Sequence, residues 1–247
     1  MNELRWGPPP PAPEARRDEV HLWRAPLRPP AAELEALART LSAEERAQAA
    51  RFRFAEHRER FVAGRGIQRA LLGRYLGVEP AALVFRSGVR GKPELDGPPA
   101  GSGIRFNVTN AGDLALFAVA LGREVGIDLE PLRPVPDARA LAKSFFSPVE
   151  GEALAKVPDA LLHAAFLNGW TRKEALIKAV GDGLSMPLNA FDVTLTPGEP
   201  ALLLASRTPG LQPSRWTLHT LDAGPDWVAA LVVEGTGWTA RAFDWSA

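Results

Sequence analysis

Apolar positions follow two rhythms along this chain, and the changes between them divide it. From Ala31 to about Leu76 the spacing is helical, with Ala63, Ile67, Ala70 and Leu71 on one stripe. Ser42 and Glu45 have the separation of a capping box, which predicts a helix start. Turn-forming residues from Ser87 to Gly103 end this part, and short alternating or apolar runs at 104–109, 114–121 and 125–130 predict adjacent strands. Ser147-Pro148-Val149-Glu150 joins an N-cap, a proline at the first helical position and a capping-box glutamate, so a helix is expected there. Another is expected from near Asp159 to about Val180, closed by Gly181. Strand character returns at 191–195, 215–221 and 227–233. Residues 7–13, rich in proline, cannot enter a helix or sheet interior and are expected to be extended and poorly ordered, within an extended leader over 1–20.

Helices followed by strands therefore occur twice. This order predicts an α+β fold of two halves, residues 1–122 and 123–247, although no repeat is visible residue by residue. The junction between such halves suits a ligand cleft.

Composition narrows the function classes. Of 247 residues, 46% are hydrophobic, enough for a sizeable core. Twenty-nine basic residues balance 29 acidic ones, so no bulk field favours nucleic acid or an anionic membrane. Cysteine is absent, which removes disulfides, thiolate zinc sites and a cysteine nucleophile. The longest apolar run, Leu114 to Leu121, is far short of the roughly 20 residues a membrane helix needs. The start, Met-Asn-Glu-Leu-Arg-Trp, is not of signal-peptide type, and cytoplasmic residence is expected. The histidines at 21, 57, 163 and 219 show no metal-ligand spacing and read as structural or surface residues.

Candidate chemistry sits in three stretches. Val125-Gly126-Ile127-Asp128-Leu129-Glu130 places two carboxylates two apart, on one face of a strand. Held together on an apolar strand they repel unless a cation joins them, and Mg²⁺ accepts carboxylate and phosphate oxygens; a solvated strand end is the alternative. Trp170-Thr171-Arg172-Lys173-Glu174-Ala175-Leu176-Ile177-Lys178-Ala179 puts Glu174 and Lys178 on one helix face, either as a polar platform or as an ordinary surface pair. Gly91-Lys92-Pro93, with Arg86 and Arg90 before it, forms a basic loop that is either a phosphate clamp or a solvated turn. Seven arginines between Arg51 and Arg74 read first as a solvated helix face and second as an anion-contacting surface.

Taken in order, Gly91-Lys92-Pro93, Phe106-Asn107-Val108-Thr109-Asn110, the 125–130 strand and Trp170-x-x-Lys173-Glu174-Ala175-x-x-Lys178-Ala179-x-Gly181-x-Gly183-Leu184 resemble the Sfp-type 4′-phosphopantetheinyl transferases over about residues 42–195. The resemblance implies a monomer of two pseudo-symmetric α+β halves with coenzyme A and Mg²⁺ in the cleft between them. It implies transfer of phosphopantetheine to a serine of an acyl- or peptidyl-carrier protein. Asp128 and Glu130 would be metal ligands, with Asp128 also counted among the catalytic groups; Glu174 would be a third ligand or the base. Lys178 would contact the transferring phosphate, and Lys92, with Arg86 or Arg90, the adenosine-end phosphates. Thr109-Asn110 stand where the family usually has Ser-His, so coenzyme A binding there implies a weaker contact or a compensating arginine. A coenzyme A- or carrier-binding relative without catalysis, and a Mg²⁺-dependent pyrophosphate hydrolase, are the rival readings.

Overall fold

A computed structural model describes residues 4–88, 92–181 and 186–247. The chain begins with β1 (Trp6–Gly7) and β2 (Glu19–Pro26), followed by α1 (Ala31–Thr40), α2 (Ala43–Ala50) and α3 (Ala55–Leu76). The helical stretch read from 31 to 76 is thus three helices. Ser42 makes the first break sharp: its Oγ accepts from Glu45 N at 3.2 Å while Glu45 Oε2 accepts from Ser42 N at 2.8 Å. Gly77, at φ 63°, closes α3 in a left-handed conformation that suits glycine.

Next come β3 (Val84–Ser87), β4 (Pro93–Asp96), β5 (Ile104–Ala111), β6 (Leu114–Leu121) and β7 (Val125–Pro131). Then follow α4 (Ala138–Phe145), α5 (Pro148–Lys156), α6 (Leu162–Val180), β8 (Phe191–Val193), β9 (Leu203–Ser206), β10 (Trp216–Leu221), β11 (Trp227–Glu234) and β12 (Thr239–Asp244). The result is an α+β fold. One sheet has the order β1-β12-β2-β6-β5, a second β10-β11-β7, and β3-β4 and β8-β9 are two-stranded. Among the described residues no helix is long and apolar enough to cross a membrane.

β6 explains its own unbroken apolar run. Ala115, Phe117 and Val119 pack with Ile67 and Leu71 of α3, whereas Leu116, Ala118 and Ala120 pack with Ile127 of β7 and Leu231 of β11. Both faces are buried, so polar alternation is lost. The two larger sheets thereby share a core. Asn107 on β5 reinforces the join, its Oδ1 accepting the backbone N–H of Ile127 at 2.9 Å.

Over the described residues 4–20 the leader expectation needs correction. Trp6 and Gly7 pair in parallel with Ala242 and Phe243, Trp6 Nε1 donates to the Asp222 carbonyl at 2.6 Å, and Pro13 is buried. Residues 19 and 20 already belong to β2, which lies between β12 and β6. The prolines from Pro8 to Pro13 do stay outside the strands, as their missing N–H requires.

Candidate active site

β7 alternates strictly. Val125, Ile127 and Leu129 enter the core shared by the sheets, which leaves Gly126, Asp128 and Glu130 facing the other way, towards α6. A Cβ at Gly126 would lie 2.0 Å from the Ala175 carbonyl and 2.4 Å from the Ala179 amide. Strand and helix therefore touch backbone to backbone. Ala175 and Ala179 supply the small helix face for this approach, and Glu174 and Lys178, each one residue before them, flank it.

The approach brings Lys178 to Asp128. Lys178 Nζ donates to Asp128 Oδ1 at 2.6 Å, to Thr109 Oγ1 at 3.3 Å and to the Ile127 carbonyl at 3.3 Å. Thr109 Oγ1 in turn donates to Asp128 Oδ1 at 3.3 Å. Asp128 is only 6% exposed, and its Oδ2 is buried with no hydrogen-bond partner among the described residues. The i, i+4 spacing of Glu174 and Lys178 suggested a surface pair, yet the ion pair of Lys178 crosses to β7.

Three carboxyl groups here are held above their ordinary range, each chiefly by loss of solvation. For Asp128, the Lys178 ammonium opposes that effect. Glu130 is raised further by Asp128, and Glu174 by Asp128 and Glu130. This mutual repulsion, together with the orphaned Asp128 oxygen, is an oxygen donor set suited to a hard cation such as Mg²⁺. Among the described residues no three carboxylate, imidazole or thiolate side chains form a ready-made metal cage. Lys178 supplies positive charge at one of the two Asp128 oxygens.

The other sequence candidates are spread around this centre. Thr109 joins it, whereas Asn110, the next residue of β5, is exposed and lines a 430 Å³ cleft with His57, Arg60, Arg65 and Gln68 of α3. Lys92 Nζ donates to Glu124 Oε2 at 2.9 Å and to the carbonyls of Val125 and Ala179 at 3.3 and 3.4 Å, strapping its loop to the start of β7 and the last turn of α6. Arg86 pairs with Glu94 at 2.9 Å and shares a 140 Å³ cavity with Lys92, Arg105 and Glu124. Arg90, Gly91, Gly183 and Leu184 lie outside the described residues. Lys173 turns into the interior, onto Glu150. Sequence reasoning gave Glu124 and Glu150 no site role, and Arg60 and Arg65 only a share in a basic helix face; for Glu150 the available signal was its capping box with Ser147.

Two family comparisons bear on this arrangement. Residues 124–232 match the family described as the 4′-phosphopantetheinyl transferase superfamily, and residues 25–121 match the one described as 4′-phosphopantetheinyl transferase, N-terminal. Over 241 residues the chain is 48% identical to the 4′-phosphopantetheinyl transferase HetI of Nostoc sp., covering 98% of each sequence. The chain belongs to the 4′-phosphopantetheinyl transferase family. A 4′-phosphopantetheinyl transferase of Bacillus subtilis is 35% identical over 67% of this chain and 71% of its own, and Sfp of the same species is 31% identical over 63% and 66%. In this transferase, Asp128, Glu130, Glu174 and Lys178 all lie within the region that matches the superfamily, while Arg60, Arg65, Lys92, Thr109 and Asn110 lie within the N-terminal match.

Proposed function

We propose that the enzyme transfers the 4′-phosphopantetheine group of coenzyme A to a serine hydroxyl of an acyl- or peptidyl-carrier protein, in a Mg²⁺-dependent reaction that releases adenosine 3′,5′-bisphosphate. The observation that carries this reading is the contact of β7 with α6, which sets Asp128 and Lys178 at 2.6 Å within a group of three carboxylates of raised pKa. Asp128, Glu130 and Glu174 would hold Mg²⁺, which when bound neutralises charge on the pyrophosphate oxygens. Phosphoryl transfer of this kind depends on positioning and electrostatics more than on covalent chemistry by the protein.

Glu174 is the base. It takes the serine proton as the serine oxygen bonds to the β-phosphorus. The bond from that phosphorus to the bridging oxygen breaks, and adenosine 3′,5′-bisphosphate leaves. Lys178 places its ammonium against the negative charge that leaves with it. Thr109 fixes the Asp128 carboxylate and the Lys178 ammonium together.

Coenzyme A phosphates have two basic neighbourhoods. In the cleft of Asn110, Arg60 and Arg65 supply the positive charge that asparagine cannot; Arg60 also binds Asp113 at 2.6 Å and Arg65 binds Glu45 at 3.4 Å, but a guanidinium has five donors. Lys92 would exchange Glu124 for a phosphate oxygen. Intact mass spectrometry of apo-carrier proteins incubated with the enzyme, coenzyme A and Mg²⁺ tests the reading. A chelator-sensitive gain of one phosphopantetheine, lost in Asp128→Ala while the fold is kept, is expected. Release of adenosine 3′,5′-bisphosphate without any carrier modification would replace transfer by hydrolysis, and coenzyme A binding without either product would leave only a binding protein.

A further inference from the structure

Lys173 precedes Glu174 and points the opposite way. It is fully buried, as is Glu150, and the two form an ion pair at 2.7 Å. Its remaining two N–H donors go to the carbonyls of Leu188 and Phe191, both at 2.7 Å, and the ammonium sits 4.3 Å from the centre of the Phe191 ring. Glu150 is equally saturated. Its Oε2 accepts from Ser147 N and its Oε1 from Val193 N, each at 2.8 Å.

A buried ion pair of this kind is poorly explained by stability, because desolvation of both charges offsets most of their attraction and an uncharged replacement of similar shape is often neutral. Geometry offers the better explanation. The pair joins α6 to the first turn of α5 and to the 188–193 segment, on the side of α6 away from β7. Gly126 lets the helix approach the strand but, lacking a side chain, offers no knob against rotation about the helix axis. A rotation of about 20° would carry a carboxylate about 6 Å from that axis through about 2 Å. Misplacement by as little as 1 Å costs on the order of 100-fold in rate.

We propose that Lys173, through its buried pair with Glu150, is a positioning residue that fixes the rotation of α6 and so places Glu174 and Lys178 against Asp128. The proposal rests on the transferase reading for its kinetic consequence and on the structure alone for its geometric one. Lys173→Met by itself strands a buried glutamate and endangers folding, so the informative variant is Lys173→Met with Glu150→Gln, which removes both charges and keeps the shapes. The double variant is expected to unfold cooperatively but at a lower temperature than the parent, since the Leu188 and Phe191 carbonyls lose their donor and a glutamine can accept only one of the Ser147 and Val193 N–H groups. Its kcat falls by about 30-fold or more while KM for coenzyme A changes by less than about threefold, because Arg60, Arg65 and Lys92, proposed above for the coenzyme A phosphates, do not lie on α6. Its crystal structure shows α6 rotated and the 2.6 Å contact between Lys178 and Asp128 lost.

A folded double variant with that contact retained, or with the parent's kcat, overturns the proposal. A parent protein that modifies no carrier refutes the transferase reading instead, and the crystal structure of the variant then decides the positioning role by itself.

Discussion

Gly126→Ala tests the feature on which the candidate site depends. The added carbon would lie 2.0 Å from the Ala175 carbonyl oxygen and 2.4 Å from the Ala179 amide nitrogen, and both are backbone atoms that cannot rotate aside. Ordinary contact begins at about 3.5 Å between carbons and somewhat less to oxygen, so β7 and α6 must separate by roughly 1.5 Å. Overpacking typically costs about 1–3 kcal/mol. Contact with rigid backbone on a strand paired to β11 places this change at about 3 kcal/mol or above. The same displacement would take the 2.6 Å contact of Lys178 with Asp128 beyond hydrogen-bonding range, and a loss of at least about 100-fold in transfer rate is expected. Urea unfolding monitored by circular dichroism gives the stability change from the midpoint at constant slope. Carrier modification followed by mass gives the rate. A variant with the parent's midpoint and the parent's rate would show that strand and helix are not in this backbone contact, and the reasoning built on it would fail.

Gly151→Ala is the opposite case: nothing lies within 4 Å of its Cβ position in α5, so helix propensity alone should stabilise the protein by about 0.5–1 kcal/mol in the same urea assay. The raised carboxylates make stability depend on pH. A carboxyl whose pKa is higher folded than unfolded binds more protons in the folded state between the two values, so stability falls as pH rises through that window. Glu130→Gln removes one such group and should melt higher than the parent at pH 7, with the difference vanishing below the ordinary glutamate range, as read by calorimetry; equal melting temperatures at pH 7 would refute the raised pKa. Mg²⁺ should raise the parent's melting temperature at pH 7 and raise that of Asp128→Ala less. Asn110→His adds a charge to a cleft that already holds Arg60 and Arg65, and isothermal titration with coenzyme A should show tighter binding; unchanged affinity would place the phosphates elsewhere.

The elements that build the site were legible because their patterns are local. Ser42 with Glu45 and Ser147 with Glu150 each satisfy two N–H groups within three residues, and both capping boxes are present. Strands β5, β6 and β7 announce themselves through continuous or alternating apolar runs. β2 and β12 were missed for the converse reason: their ladder joins residues 19–24 to 239–244, and neither segment carries a turn signal that points to the other. The hairpin of β3 and β4 was hidden by the glycines and prolines around it. Charge roles were less legible still. Spacing put Lys178 on the face of Glu174 and gave Lys173 no role, but it named the partner of neither: Lys173 is sealed against Glu150, 23 positions earlier, and Lys178 faces Asp128, 50 positions earlier. Helical spacing relates neighbours on one helix and is silent about partners on other elements.

The same contrast explains why the carboxylates can be held together at all. None of the three gains stability from its position, since burial raises all their pKa values and neighbouring carboxylates raise those of Glu130 and Glu174 further. Their placement must therefore be imposed by structure that is stable for other reasons. β7 supplies it with Val125, Ile127 and Leu129 in the shared core, and α6 supplies it with Ala175, Leu176, Ile177 and Ala179. Each apolar residue anchors the backbone next to a polar one, so the repulsion is spread over many contacts that it cannot individually break. A polar cluster built on loops would relax by moving its carboxylates into water. Set on a strand and a helix in backbone contact, it keeps the arrangement, and the proposed Mg²⁺ would relieve the unfavourable electrostatics.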